Sequence, residues 1–380
     1  MKIYLDNAAT TQVDKRVLKA MLPHFNKFYG NPSSLHDFGK KASESLENSR
    51  KIIADSINAE PEEIIFTSGG TEANNMVVKE LAFLMRTKGK NHIITSKIEH
   101  PSIIQPLKLL ERMDFSVTYL DVNNEGFINL DQLKSSITEK TILVTIIHGN
   151  NEIGTIQDIE TIGKICHEKN VPFHIDACQS YMKTEINVKK HNLDFVTLNA
   201  HKIHGPKGVG ALFIKKGIKI PALIDGGGQE QGIRNGTENI PGIVGFAEAV
   251  KIYKKEDNKT MQELRDYLIS KLSEISKSKL NGPKQKRLCN NINFSFFGID
   301  GEAILLMLNE KGIAVSTGSA CSQKNLKSSP ILKAIGLDEL SAHGSIRITI
   351  SRNTTKKEID YAITELKKTI EKLRKISMFN

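Results

Sequence analysis

The sequence predicts an α/β protein: a mainly parallel seven-stranded sheet covered by helices, joined to a smaller α+β layer. Three observations predict it. Short apolar runs alternate with helical patterns from about residue 15 to 250. That alternation stops near residue 252, within a long polar helical stretch. The chain has 380 residues, 39% hydrophobic and 25% charged, which suits a globular protein with room for two cores.

The strands follow in order. "EIIFT" (63–67) precedes a helical pattern, "EANNMVVKELAFLM" (72–85). "HIITS" (92–96), "FSVTYL" (115–120), "TILVTIIH" (141–148), "VPFHID" (171–176), "FVTLN" (195–199) and "GALFI" (210–214) complete seven. Strands separated by helical stretches imply parallel pairing with both sheet faces covered. Beyond them a single helix is expected over about 243–276. "NNINFSF" (290–296), a helix near 301–311, "GIAVS", "SIRITIS" (345–351) and a terminal helix follow. The expected division is a large domain, 13–252, and a small one, 1–12 with 253–380.

Composition excludes several classes. The longest apolar runs, such as "ILVTII" (142–147), fall far short of the roughly 20 residues that span a bilayer. The beginning, "MKIYLDNAATT", has no apolar signal region, so a cytoplasmic protein is expected. The four cysteines, at 166, 178, 289 and 321, form no C-x-x-C pair, which disfavours disulfide, zinc-ribbon and iron–sulfur frameworks. The net charge is +10, but the lysines are dispersed, so a solvated basic surface is favoured over a nucleic-acid site.

In a parallel sheet, ligands bind beyond the carboxyl ends of the strands. After 63–67 comes "TSGGTEAN", where glycines permit a tight turn and Thr71 is expected to cap a helix near Glu72, a phosphate seat or an ordinary capped turn. After 92–96 comes "KIEHPS", with His100 ahead of a helix-starting proline. After 171–176 comes "ACQS": Asp176 ends an apolar strand, where a carboxylate needs a cationic partner, either a ring nitrogen or a structural Arg or Lys. After 195–199 comes "AHKIHGPKGVG", which sets Lys202 in a strand-end loop that suits Schiff-base chemistry. A phosphate seat, an acid–base histidine, a carboxylate and an amine nucleophile along one sheet edge are the handles that pyridoxal phosphate requires.

"YLDNAATT", "GNPSSLH", "FTSGGTEANN", "EHPS", "GNNEIGTIQDI", "HIDACQS", "AHKIHGPKGVG", "GGGQEQGIRNGTEN", "STGSACS" and "SIRITISRNTT" together resemble the motif series of the cysteine desulfurases of the NifS/IscS type. These are fold-type I, class V aminotransferase-like enzymes, and the likeness runs from about residue 3 to 371. The resemblance implies a pyridoxal 5'-phosphate enzyme in which Lys202 forms the Schiff base and Asp176 pairs with the pyridine nitrogen. It places His100 on the ring, Gln179 and Asn151 near the ring hydroxyl, and Gly70, Thr71 and His201 at the phosphate. Thr237 would reach the phosphate of a neighbouring subunit, which implies a homodimer. Arg347, with Asn31 and Asn151, would hold the substrate carboxylate. Asn199 stands where the family more often has a serine phosphate ligand.

Cys321, within "STGSACSQ", matches the cysteine that accepts sulfur from L-cysteine as a persulfide. The resemblance further implies delivery to an iron–sulfur scaffold protein or a sulfur carrier. It implies no metal in the resting enzyme, with transient ligation of a cluster by Cys321 and a partner. A transaminase or lyase would keep Lys202 and Asp176 without needing Cys321. Selenocysteine lyase activity is a near neighbour and stays an open alternative.

Overall fold

The computed structural model describes residues 2–317 and 328–376. In chain order its strands are β1 (Ile3–Tyr4), β2 (Ile64–Thr67), β3 (His92–Ser96), β4 (Ser116–Leu120), β5 (Thr141–Ile147), β6 (Phe173–Asp176), β7 (Phe195–Asn199), β8 (Gly210–Ile214), β9 (Ser278–Leu280), β10 (Asn291–Phe296), β11 (Ile313–Ala314) and β12 (Ser345–Thr349).

The expected seven-stranded sheet forms in the order β2-β8-β7-β6-β5-β3-β4. β7, β6, β5, β3 and β4 run parallel, whereas β8 is antiparallel to both β7 and β2. Every residue of β3, β5, β6 and β7 is buried, as continuous apolar runs covered on both faces should be. The β2 edge is closed by side chains rather than by another strand. Arg50 donates to the Ile64 carbonyl at 2.7 Å, Phe66 N–H donates to Glu230 at 2.6 Å, and Arg50 and Glu230 form a buried pair at 2.8 Å. Backbone groups that would otherwise be open at an edge are thereby satisfied.

Two helix expectations are corrected. The helix after β2 begins at Gly70, because Gly69 takes a positive φ of 154° that lets the chain turn into it at once. Thr71 therefore lies inside the first turn and is not the cap. That helix also passes through a π-helical stretch, Met76–Glu80, before resuming as Leu81–Arg86. The single helix expected over 243–276 is two, Ile240–Lys251 and Lys255–Ser273, parted where Lys254 is extended. The first is apolar and packs against the large sheet's core. The second is polar and turns its apolar stripe, including Met261, Leu268 and Leu272, to a different core.

That second core lies under a three-stranded antiparallel sheet, β12-β10-β9, and the helices Lys255–Ser273, Gly301–Glu310 and Lys356–Ile376. Ile3 and Leu5 belong to it, since β1 pairs with β11. A third contact joins the halves: Ile331, Leu332 and Ile335 pack on Ile98, Ile147 and Ile153, just beyond the ends of β3 and β5. No helix among the described residues is long and apolar enough to cross a membrane.

Candidate active site

The carboxyl ends of β2, β3, β6 and β7 bring the motif loops together. Asp176 is the last residue of β6 and is buried. Its Oδ1 accepts the Cys178 N–H at 2.9 Å and its Oδ2 accepts from Asn74 Nδ2 at 2.8 Å. Burial pushes this carboxyl upward, but charge on His100 and the N–H groups of Cys178 and Asn74 outweigh it, so its pKa ends below the ordinary value.

Asn74 reaches further. The same Nδ2 donates to Ser102 Oγ at 2.8 Å, and Ser102 Oγ lies 2.8 Å from His100 Nδ1. His100 is the N-cap of the helix Pro101–Glu111, its Nδ1 accepting the Ser102 N–H at 3.2 Å. Burial lowers its pKa, and the Lys202 charge adds to the effect against the pull of Asp176. His100, Ser102, Asn74 and Asp176 thus form one hydrogen-bonded line. Asn74 and Ser102 were not singled out from sequence; they sit inside "TEANN" and "EHPS", but only the fold shows them facing one another.

The β7 loop supplies the next residues. Lys202 is partly buried and acts electrostatically on both His100 and Cys178. His201 Nδ1 lies 3.2 Å from Thr10 Oγ1, and burial, reinforced by three lysines, lowers its pKa to about 4. Gln179 donates to the Ala8 carbonyl at 2.9 Å. Asn199 donates weakly to the Cys178 carbonyl at 3.4 Å, while its buried Oδ1 has no partner. A Cβ on Gly70 would stand 2.3 Å from Cys178 Sγ and 3.9 Å from Asn199 Nδ2, so the glycine, the thiol and the amide converge on one cradle. Thr71 and His100 also line a cleft of about 480 Å³ that opens toward Lys79 and Arg112.

Arg347 on β12 faces this edge from the smaller layer. Its Nη1 donates to the Asn151 carbonyl at 3.0 Å and its Nη2 to Asp6 Oδ1 at 2.9 Å, while buried Nε has no partner. The Asn151 Oδ1 is likewise buried and unpartnered. Asn31 is exposed, its Oδ1 accepting from Ser33 N–H. Thr237 is exposed as well, in the loop whose Arg234 pairs with Glu72 at 2.8 Å. Neighbouring Glu152 is buried, and burial raises its pKa to about 7 against the Ser329 hydroxyl, 2.5 Å away, and the Arg347 charge.

Cys321 lies outside the described residues. Near the ends of that segment, Ser316 pairs backbone to backbone with Arg347 and Ser329 bonds Glu152. The other cysteines are poor nucleophiles: burial pushes Cys166 to about 12, Cys289 to about 11 and Cys178 well above the ordinary thiol value.

The residues present fit pyridoxal phosphate. The Asp176 carboxyl, in a buried strand end, lies below its ordinary pKa and among the described residues enters no ion pair, as pairing with a protonated ring nitrogen requires. A glycine cradle at a helix start and an amine on the adjacent loop supply donors, and the unpartnered amide oxygens of Asn151 and Asn199 are acceptors free for a hydroxyl or N–H.

Comparison with known proteins agrees with this geometry. The aminotransferase class-V family model matches residues 3–362. The cysteine desulfurase IscS of Dictyoglomus turgidum is 48% identical, over 100% of this chain and 97% of that protein. IscS of Methanosarcina thermophila is 46% identical, over 99% of this chain and 93% of its own. Among solved structures, a NifS-like protein superposes with a TM-score of 0.92 at 38% identity, covering 98% of this chain and 100% of that one. SspA in complex with cysteine does so with a TM-score of 0.84 at 37% identity, covering 93% and 100%.

Proposed function

The chain belongs to the aminotransferase class-V family, and from that premise we propose how its own residues perform the cysteine desulfurase reaction. It is a pyridoxal-phosphate-dependent enzyme that converts L-cysteine to L-alanine and removes the sulfur. The observation that carries the residue assignment is Asp176, a buried carboxylate whose pKa is lowered although it enters no ion pair among the described residues.

Lys202 binds the cofactor through its amine, and Asp176 holds the ring nitrogen protonated. Gly70, Thr71 and His201 seat the phosphate with Asn199 beside them, and Gln179 and Asn151 lie toward the ring hydroxyl. When bound, pyridoxal phosphate supplies the electron sink for carbanion chemistry at the substrate. Arg347 takes the substrate carboxylate, helped by Asn31 and Asn151. Lys202 Nζ removes the Cα proton, and His100 shares in proton movement.

Cys321 is the sulfur acceptor. Its thiolate attacks the substrate sulfur, an S–S bond forms, and the C–S electron pair returns to the substrate carbon. Protonation there, with return of the Cα proton from Lys202 Nζ, yields alanine and leaves a persulfide on Cys321. The high thiol pKa values of Cys166, Cys178 and Cys289 support this choice. So does the anchoring of Ser316 beside Arg347, since five extended residues reach at most about 17 Å.

We further propose a cytoplasmic homodimer in which Thr237 serves the neighbouring subunit's phosphate seat, in keeping with its exposure. The persulfide acceptor is an iron–sulfur scaffold protein or a sulfur carrier. The large domain is 13–252, and the small one is 1–12 with 253–380.

The test is the visible spectrum of the purified protein with paired alanine and sulfide assays on L-cysteine. Lys202→Ala should abolish the cofactor band. Cys321→Ser should keep the band and lose sulfur release; full release by that variant would return the assignment to a lyase that needs no thiol.

A further inference from the structure

Lys183 has no part in the scheme above, yet it touches two of its members. It follows Gln179 by four residues, and its Nζ donates to the Gln179 carbonyl at 3.0 Å and to the Lys202 carbonyl at 3.2 Å. Among the described residues no carboxylate pairs with it. Its charge therefore rests on two peptide carbonyls, one from each of two neighbouring loops.

Those loops need a tie. The β6–β7 ladder ends at Asp176 and Thr197, and one more backbone bond, from Ala177 N–H to the Thr197 carbonyl at 3.0 Å, extends it. Beyond that the chains diverge, and side chains bridge them: Asn199 to the Cys178 carbonyl at 3.4 Å, and Lys183. A hydrogen bond from an ammonium is about twice as strong as a neutral one, so Lys183 is the firmer tie. The residue before it, Met182, holds a left-handed φ of 63°, a conformation a bulky side chain adopts only where its surroundings enforce it.

We propose that Lys183 is a positioning residue for the desulfurase reaction: by clamping the carbonyls of Gln179 and Lys202 it fixes the Lys202 loop against the Gln179 turn and so aims the Lys202 amine. This rests on the reading of Lys202 as the residue that bonds the cofactor. Burial lowers the pKa of Lys183 to about 8, with the Lys202 charge adding to it and the Cys289 and Cys178 thiols opposing it. His204, Tyr253 and Arg352, the last paired with Asp14, line the same small enclosed cavity. The clamp is therefore charged below about pH 8 and weaker above.

The experiment starts from apo-protein, adds pyridoxal phosphate, reduces with borohydride and follows modification of the Lys202 peptide by mass spectrometry across pH 6 to 10. Lys183→Met removes charge and donors, and Lys183→Gln keeps N–H donors without charge. Expected are a Lys183→Met protein with unchanged circular dichroism, trapping slowed about 10-fold, the scale of a lost charged hydrogen bond, and no inflection near pH 8. Its kcat falls while its KM for L-cysteine holds, and Lys183→Gln lies between. If Lys183→Met does not fold, the Lys183→Gln rate and pH profile decide. Trapping in both variants at the wild-type rate and profile overturns the inference. No trapping of Lys202 in the wild type overturns instead the reading of Lys202, and the inference with it.

Discussion

Arg347 on β12 and Asp6, two residues past β1, stand 2.9 Å apart, and that pair occupies one of the two terminal nitrogens a substrate carboxylate would use. The other terminal nitrogen is on the Asn151 carbonyl, which leaves Nε as the unpartnered donor. A carboxylate arriving at the Nε edge has to share Nη2 with Asp6. Asp6→Asn should therefore lower KM for L-cysteine several-fold with little change in kcat. Arg347→Lys, which lacks the planar fork, should raise KM about 10- to 100-fold. Steady-state kinetics checks both, and an Asp6→Asn KM above wild type would count against the competition.

The line from His100 to Asp176 depends on one amide. Asn74→Leu leaves Asp176 Oδ2 and Ser102 Oγ without their shared donor, so the Asp176 carboxyl should lose part of its lowering. Cofactor affinity should fall about 10-fold, the low end for a buried hydrogen bond to a charged group, since His100 and the Cys178 N–H still lower the Asp176 pKa. Equilibrium dialysis of pyridoxal phosphate measures it. Ser102→Ala, which spares Asp176, should cost less.

Gly70 and Cys178 make a matched pair. With 2.3 Å between a new Cβ and Cys178 Sγ, Gly70→Ala must displace either the thiol or the turn. Gly70→Ala should weaken cofactor binding, and adding Cys178→Gly should restore part of it. Equal affinities for the single and double variants would show that the thiol gives way freely.

Buried histidines give an acid limit. Burial lowers His148 to about 3 and His174 to about 4, and burial likewise holds His201 and His204 near 4. In the unfolded chain each binds its proton near pH 6.5, so between about 6.5 and 4 the unfolded state holds more protons. Stability is then present above 6.5 and lost as pH falls. Denaturant unfolding at pH 7 and pH 5 should show the loss, and His174→Gln should flatten the slope.

Glu99 has the opposite sign. Burial raises it to about 8, with Asp176 adding to that and the bonds from Ser96 and the Ile147 N–H opposing it. The folded state holds the extra proton above the ordinary carboxyl range, so its contribution falls as pH rises from about 4.5 to 8. Glu99→Gln should stabilise the protein at pH 9, by up to about 5 kcal/mol given about 1.4 kcal/mol per pKa unit over the rise from 4.5 to about 8, and less at pH 6. Denaturant midpoints at the two pH values decide it.

Much was legible in the chain. Apolar runs of four to seven residues fixed the seven strands to within a residue or two, because strands buried on both faces tolerate few polar side chains. Motif residues at the ends of those strands marked Lys202, Asp176 and His100, since a parallel sheet delivers its loops to one edge. The break at Lys254 was not legible: helical propensity is continuous there, and only the demand that two helices serve two separate cores parts them. Nor was the start of the helix at Gly70, which follows from the φ of Gly69.

The sequence by itself determined which candidate residues gather on one sheet edge, because amine, carboxylate and imidazole are properties of single side chains and strand ends place them there. Only the tertiary structure decided how they are held. Asn74 lies 102 residues from Asp176 and Asp6 lies 341 from Arg347. Contacts across such separations arise when distant segments are packed together, and no local pattern encodes the partner of a buried donor.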